Sequence, residues 1–258
     1  ISDRAWLGIV QNASIPKRSI GRWTQIDDEH ALASSIDQFA GSLREIAGRF
    51  PQRFARLALA FPKDIHSAYV SSILHAVTLT KADTSVAVDE RNSWEPASVA
   101  DAMALLQRFC DTSDLEVAKS FCRLIAARAS ENLPEAAVER LVELVSHHPD
   151  PKPGKLVIHC DKETDDASVQ ILFQNTVNCV RGVAAEAIGQ LLWNHPEWLG
   201  RLKPGLTSLV SDPHSAVRMA AVRAVTPILQ IDRRTAVSLF CEAATDDARV
   251  SASPYSTI

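Results

Sequence analysis

The chain has 258 residues, of which 46% are hydrophobic and only 6% aromatic, with 9 glycines and a formal net charge of −4. This much apolar sequence excludes a disordered chain, and the scarcity of aromatic residues and glycine favours packed helices over a β-sandwich or barrel. The slight acidity gives no general attraction for nucleic acid or for an anionic membrane, because that attraction needs clustered lysines and arginines.

Several features of the sequence favour the cytoplasm as the location of the protein. The 5 cysteines are widely spread and odd in number, as expected for small core residues in a reducing compartment. No run of about 18 apolar residues predicts a membrane span, and Ile1–Val10 lacks the pattern of a signal peptide. Because the chain begins without Met and a repeat starts close to its end, we expect it to be part of a longer protein.

The N-terminal part, residues 1–96, predicts helices followed by irregular sequence. Helical spacing runs through Glu29–Arg49, Pro51 opens a second helix, and Ser67–Leu79 supplies a third. The apolar positions of the first of these helices are Leu32, Ile36, Phe39, Leu43 and Ile46. The composition of Thr80–Pro96 predicts a loop.

Residues 97–258 contain a repeated pattern of two helices joined by an acidic turn. The clearest copy is Leu202–Leu229, in which an apolar helix, a turn at Asp212 and Pro213, and a second apolar helix follow one another. We expect Asp212 to cap the second helix, and Pro213 fits an early helical position because its missing N–H would have no partner there. The second helix has apolar residues three and four positions apart, with Arg218 between them.

The pair Val217-Arg218 of this copy recurs upstream as Val180-Arg181, 37 residues earlier. A looser copy starts at Asp111, and another starts at Asp246. A period near 40 residues is typical of proteins that stack helical hairpins one after another. The spacing therefore predicts a row of such hairpins.

The acidic turn, the Val-Arg pair and the alanine-rich continuation resemble HEAT repeats, closely over residues 178–230 and more loosely over 97–148. The resemblance implies an all-α fold, a right-handed α-solenoid of HEAT-like hairpins with irregular insertions. In HEAT repeats the arginine bonds to the acidic turn residue of the neighbouring repeat. By this resemblance Arg181 and Arg218 have structural roles first, although a local anion-binding face among the basic residues of 201–234 stays open.

A proline-rich segment, Pro149–Asp166, interrupts the repeat, so that Val117 and Val180 are 63 residues apart. We interpret this segment as an insertion within one repeat. Insertions in solenoids usually project from one face, often the binding face. The polar residues that we take as candidate contacts of a partner are Lys155, His159 and Asp161.

The sequence has none of the common signatures of catalysis or nucleotide binding. Gly154-Lys155 lacks the earlier glycine and the following hydroxyl of a phosphate-binding loop, and the usual nucleophile and zinc motifs do not occur. No catalytic residue, cofactor or metal is therefore predicted. One alternative is a zinc ion at the insertion, bound by His147, His148, His159 and Cys160. We favour the interpretation in which the histidine pair ends a helix.

Two tryptophans, Trp193 and Trp198, flank a predicted helix junction. Tryptophan rings at such a junction either seal the hydrophobic core or form a platform for a ligand. We expect core packing.

Several stretches are similar to the helical C-terminal region of bacterial signalling NTPases of the STAND or NACHT type. They are Pro51–Leu59, Ala68–Val70 with Ile73-Leu74, and Asn178–Leu192. In such proteins an N-terminal ATPase module is followed by helical repeats that detect a trigger, often a foreign protein, and several members defend bacteria against bacteriophage. The resemblance implies that this chain is the sensing part, with the ATPase module outside these residues.

Two other interpretations stay open. A generic scaffold that binds another protein needs only the concave face of stacked helix pairs. A HEAT-like DNA-binding protein needs a basic concave face, against which the net acidity argues.

Overall fold

The computed structural model describes residues 1–12, 15, 23–25, 31–33, 35–82, 91, 93–111, 113–156, 158 and 168–256. Within these residues the fold is helical apart from one short antiparallel β-hairpin, which confirms the predicted all-α class. No helix among them has both the length and the apolar character needed to cross a membrane.

The helices group into two compact units, Ile1–Leu124 and Ile125–Ile258. The division that the sequence suggests after residue 96 stays a prediction.

The first unit begins with one helix and a two-stranded hairpin and continues with helices. Its elements are α1 (Asp3–Val10), β1 (Trp23–Gln25), β2 (Ala31–Ala33), α2 (Ile36–Arg49), α3 (Pro51–Leu59), α4 (Ser67–Val77), α5 (Val99–Arg108) and α6 (Leu115–Ala127), of which α6 continues into the second unit. α4 packs against both α2 and α3, and α3 also packs against α5. Leu43, Phe54 and Ile73 are almost completely buried between these helices.

The helix predicted from Glu29 begins later than expected. Leu32 lies in β2, and α2 starts only at Ile36. The Ser35 hydroxyl accepts a hydrogen bond from the Gln38 N–H at 3.2 Å, which satisfies a donor of the first turn. The cap at Ser35 therefore sets the start of α2, and the spacing of apolar residues alone predicted that start too early. Most of the predicted loop Thr80–Pro96 lies outside the described residues.

A half-buried histidine links α2 to α4 in this unit. Arg44 Nη2 lies 2.7 Å from His75 Nε2. Because a guanidinium can only donate, His75 Nε2 accepts the bond and carries no proton. Burial, together with the charges of Arg44 and Arg123, lowers the pKa of His75 to about 4.

Acidification should therefore destabilise the first unit through His75. In the unfolded chain the pKa of this side chain is about 6.5, so unfolding takes up a proton between about pH 6.5 and pH 4, and stability falls as the pH is lowered through that window. Between about pH 7 and pH 4.5 we expect the wild type to lose about 1–2 kcal/mol more than the His75→Gln variant, since partial exposure of the ring reduces the full effect. Urea unfolding at both pH values measures the difference. Equal losses would exclude His75 as the titrating group.

The second unit consists of helices that pack in two rows. Its elements are α7 (Glu135–His147), α8 (Val169–Asn178), α9 (Val180–Asn194), α10 (Leu199–Val210), α11 (Ser215–Val225), α12 (Arg233–Ala244) and α13 (Ala248–Ser251), with 3-10 turns at Pro196–Trp198, Thr226–Gln230 and Pro254–Ser256. In the first row α10 packs against both α7 and α12, and in the second row α11 packs against both α9 and α13. Each helix of the first row also contacts the second row, and α8 packs on α9 and α11.

Small residues allow α9 and α11 to pack closely. A Cβ placed on Gly189 would lie 3.2 Å from the Cα of Ala224, a tight contact. Val180 and Val217, which mark the repeat in the sequence, are fully buried at the first turns of these two helices. The alanine-rich continuation of the repeat is therefore the packing surface of the second row.

Candidate functional site

The start of the segment between α7 and α8 caps the helix α9, which begins thirty residues after Asp150. The Asp150 carboxylate accepts a hydrogen bond of 2.7 Å from the Val180 N–H, and the Asp150 carbonyl accepts one of 3.3 Å from the Arg181 N–H. Cys179, the residue before α9, provides no side-chain cap of its own. Asp150 thus satisfies the N–H groups that the start of α9 leaves without helical partners, and this positions the segment on the end of α9.

The side chain of Arg181 joins this segment to the turn between α10 and α11. Its guanidinium donates to the His148 carbonyl, to the Pro151 carbonyl at 2.9 Å and to Asp212 Oδ1 at 3.2 Å. Arg181 Nε lies 2.8 Å from Asp212 Oδ2, although its N–H is not aligned for a hydrogen bond. Arg181 is 7% exposed and Asp212 is 6% exposed, so the two charges form a buried ion pair.

The prediction that Asp212 caps α11 is wrong. The helix begins at Ser215 with His214 as its cap, whose Nδ1 accepts a hydrogen bond of 3.1 Å from the Ala216 N–H. Asp212 instead accepts the His214 N–H at 2.8 Å, because its carboxylate is already turned towards Arg181. Pro213 consequently lies in the turn before the helix and does not occupy an early helical position.

His214 also holds the far end of the segment. Its Nε2 lies 2.9 Å from the Lys155 carbonyl oxygen. A carbonyl only accepts hydrogen bonds, so Nε2 carries the proton and Nδ1 is the acceptor. The carbonyl group of Lys155 is thereby fixed while the residue itself stays exposed.

Asn175 on α8 forms a further attachment of the irregular segment, at Ile158. Its Oδ1 accepts the Ile158 N–H and its Nδ2 donates to the Ile158 carbonyl, both at 2.9 Å. Asn175 is almost completely buried. The irregular segment is therefore attached to α8, α9 and the start of α11 by side chains that the core holds in place.

A cleft of about 480 Å³, lined by both polar and apolar atoms, lies beside this segment. It is lined by Ser146, His147, His148, Pro149, Lys152, Pro153, Arg181, Ser208, Ser211, Asp212 and Pro213. Burial lowers the pKa of His148, although the neighbouring Asp150 opposes that shift, so the ring is neutral at neutral pH. In the lining, Arg181 and Asp212 are paired with each other. The other cation, Lys152, is exposed and has no acidic partner among the described residues.

Arg218 differs from what the HEAT resemblance implies. Its guanidinium donates to the Asp212 carbonyl at 2.7 Å, to the Ala243 carbonyl at 3.2 Å and to the Ser215 hydroxyl at 3.3 Å. The acidic residue of the next turn, Asp247, is bound instead by Arg249 at 2.7 Å. Arg181 thus pairs with Asp212, the acid of the turn that follows it. Arg218 binds main-chain carbonyls instead, because Asp247, the acid of its own following turn, is paired with Arg249.

Of the candidate partner contacts, Lys155 lies on the exposed side of the segment. His159 and Asp161 lie outside the described residues, as does Cys160 of the possible zinc set. His147 is exposed at the end of α7, and His148 Nδ1 accepts the Asp150 N–H at 3.1 Å. Among the residues that the structure describes, no group of three histidine, cysteine or acidic side chains is arranged to hold a metal ion.

The expected burial of the two tryptophans is wrong for Trp193, which is 48% exposed at the end of α9. Trp198 stacks on His195 with ring centroids 4.3 Å apart, and the Arg201 guanidinium lies 5.3 Å from its ring centre. Arg201 also pairs with Glu135 of α7.

Sequence reasoning missed the roles of Asp150, Asn175 and His214. An aspartate between two prolines is a signal for a turn, but nothing near it indicates that it caps a helix thirty residues later. The comparisons add no functional assignment, because no protein-family model, curated protein or solved structure matches the chain.

Proposed function

We propose that this chain is a non-catalytic, HEAT-like α-solenoid region that binds a protein partner. The partner-binding surface is the segment His148–Leu156 together with the cleft beside it. The two-row packing of the second unit supports the solenoid. In stacked hairpins each inner helix contacts a neighbour on both sides within its row, as α10 and α11 do here.

The observation that carries the proposal is the way in which Arg181 holds an irregular segment. Loops without regular structure usually bind weakly, because ordering them costs entropy. Here α9 and the turn before α11 already fix the segment: the Val180 N–H binds the Asp150 carboxylate, and the buried side chains of Arg181 and His214 bind the carbonyl groups of Pro151 and Lys155. Lys152 and Lys155 remain exposed on this fixed main chain. A pre-organised segment with exposed cations suits an acidic patch on a partner protein.

A narrower proposal is that the partner is a trigger sensed by a bacterial STAND-type NTPase of which this chain is the helical sensor. It is supported by the similarity of Pro51–Leu59 and Asn178–Leu192 to the helical regions of such proteins. The ATPase module would then belong to another part of the same protein.

Affinity capture tests both levels of the proposal. The tagged chain is incubated with lysates of uninfected and bacteriophage-infected bacteria, and bound proteins are identified by mass spectrometry. We expect a specific protein whose recovery falls about tenfold in the Lys152→Glu/Lys155→Glu variant, because reversing two interfacial charges costs roughly 1.4 kcal/mol or more. A partner present only in the infected lysate supports the sensor, and one present in both supports a general scaffold.

The matched control is Lys203→Glu, which reverses an exposed charge on α10. Recovery should be unchanged in this variant. Equal recovery by the wild type and the double variant would contradict the binding surface. A salt-sensitive gel shift of DNA that requires Lys152 and Lys155 would instead favour the DNA-binding interpretation.

A further inference from the structure

Two serine hydroxyls line the cleft beside the His148–Leu156 segment. Ser146 lies in the last turn of α7 and Ser208 lies on α10, and both are half-buried. Neither hydroxyl makes a hydrogen bond within the part of the chain that the structure describes. The hydroxyl of Ser211, which lines the same cleft, donates instead to the Thr207 carbonyl at 2.8 Å. The hydroxyls of Ser146 and Ser208 are therefore the ones that a ligand in the cleft can engage.

The His148 ring, which also lines the cleft, has a further donor. Its Nδ1 accepts the Asp150 N–H at 3.1 Å, so Nε2 carries the proton of the neutral ring. Among the described residues no acceptor binds this Nε2. The Asp150 N–H holds the ring and Arg181 holds the His148 carbonyl, so the donor is in place before a ligand arrives. A donor that is already fixed loses little entropy on binding.

The charge of the lining favours an anion. Asp212 is its one acid among the described residues, and the carboxylate is bound by Arg181 and by the His214 N–H. Lys152 adds a positive charge that no acid of the described lining balances. The volume of about 480 Å³ lies within the range of about 300–1,000 Å³ that is typical of ligand sites. The cleft thus combines room for a ligand with three donors and one uncompensated cation.

A phosphate group matches this set of donors better than a carboxylate does. A carboxylate presents two oxygens, whereas a phosphorylated side chain presents three and carries about −1.5 to −2 charges at neutral pH. Hydrogen bonds to charged oxygens are also stronger than those between neutral groups. Three donors and one ammonium group can therefore engage all three phosphate oxygens at once.

We propose that the cleft binds a phosphorylated side chain of the partner protein. The phosphate oxygens accept hydrogen bonds from His148 Nε2 and from the hydroxyls of Ser146 and Ser208, and Lys152 compensates the charge. This inference rests on the proposed function, because it names the chemical group of the partner that the cleft recognises. It adds the requirement that the partner is phosphorylated, which binding to an acidic patch does not have.

Titration with inorganic phosphate tests the cleft directly. In the full chain, isotope-labelled at histidine, the ring signals that are absent from His148→Gln should shift and saturate in the millimolar range of phosphate at constant pH and ionic strength. The Ser146→Ala/Ser208→Ala variant should bind phosphate about tenfold more weakly, because it loses two hydrogen bonds to a charged group. Acetate should produce a much smaller shift. No shift of the His148 signals with phosphate, or an equal shift with acetate, would overturn the proposal.

Ser211→Ala is the matched control, because Ser211 lines the same cleft but its hydroxyl already donates to the Thr207 carbonyl. This variant should bind phosphate like the wild type. Unchanged thermal unfolding of the serine variants shows that the fold is intact. Equal weakening by Ser211→Ala and by the double variant would contradict the assignment of Ser146 and Ser208 as phosphate donors.

Phosphatase treatment of the lysates separates this inference from the proposed function. We expect recovery of the captured partner to fall about tenfold after the treatment, and by a similar factor in Ser146→Ala/Ser208→Ala. Recovery that depends on Lys152 and Lys155 but not on phosphatase would leave the proposed function standing and overturn the phosphate inference. If no protein is captured although the titration shows phosphate bound through the two serines, the proposed function fails and the cleft is a site for a free phosphate compound. Loss of recovery on nuclease treatment would overturn the phosphoprotein in favour of a nucleic acid.

Discussion

Replacement of Arg181 by methionine should lower the free energy of unfolding of the second unit by about 3–5 kcal/mol. The substitution removes the buried guanidinium but leaves the Asp212 carboxylate, which is only 6% exposed, without its counter-charge. It also leaves the carbonyl groups of His148 and Pro151 without their donor. Chemical denaturation followed by circular dichroism measures the loss.

Two further variants separate the buried charge from general damage. Arg223→Met breaks the Arg223–Glu186 ion pair, whose N and O atoms are 2.9 Å apart but whose side chains are 37% and 33% exposed, and it should cost less than about 1 kcal/mol. Arg181→Met/Asp212→Asn removes the unpaired charge and should recover part of the stability lost in Arg181→Met. If Arg181→Met costs no more than Arg223→Met, the pair does not stabilise the unit as the geometry indicates.

Gly182→Ala should destabilise the second unit by about 3 kcal/mol, although alanine is normally the better helix former. A Cβ at this position would lie 1.9 Å from the Thr176 carbonyl oxygen and 2.9 Å from Cys179 Sγ. The carbonyl belongs to the main chain of α8, so relief of the overlap requires α8 to move away from α9. Thermal or urea unfolding of the variant measures the cost.

Gly200→Ala is the control for this effect, since Gly200 is also helical but has nothing within 4 Å of its absent side chain. It should stabilise the chain by a few tenths of a kcal/mol to about 1 kcal/mol, because alanine loses less backbone entropy than glycine in a helix. Opposite signs for the two glycines are the expected result. A neutral or stabilising Gly182→Ala would contradict the close packing of α8 on α9.

The candidate site shows how far sequence reasoning reaches. Val180 and Val217 were predicted as repeat positions and are fully buried, because an apolar residue at helical spacing reports directly on burial. The insertion beginning at Pro149 was predicted from prolines and from the stretched repeat interval. The apolar spacing and the prolines are local signals, and each lies within a few residues of the feature that it predicts, whereas the repeat interval is read along the sequence.

Other parts of the site depend on residues far apart in the chain. Asp150 caps α9 and His214 binds Lys155, and in both cases the partners are 30 or more residues apart in the sequence and meet only in the folded chain. The choice of His214 over Asp212 as the cap of α11 likewise depends on Arg181, which engages the carboxylate from another helix. Local capping preference could not reveal this competition.

The sequence by itself determined that the chain is helical, where the two helices of the Leu202–Leu229 hairpin run, and that Val180 and Val217 are repeat positions, because helix formation and amphipathic spacing are properties of neighbouring residues. Only the tertiary structure decided that Arg181 holds the 148–156 segment in place and that His214, not Asp212, caps α11. Hydrogen bonds between residues about 30 positions apart arise from the arrangement of whole elements, which no local pattern encodes.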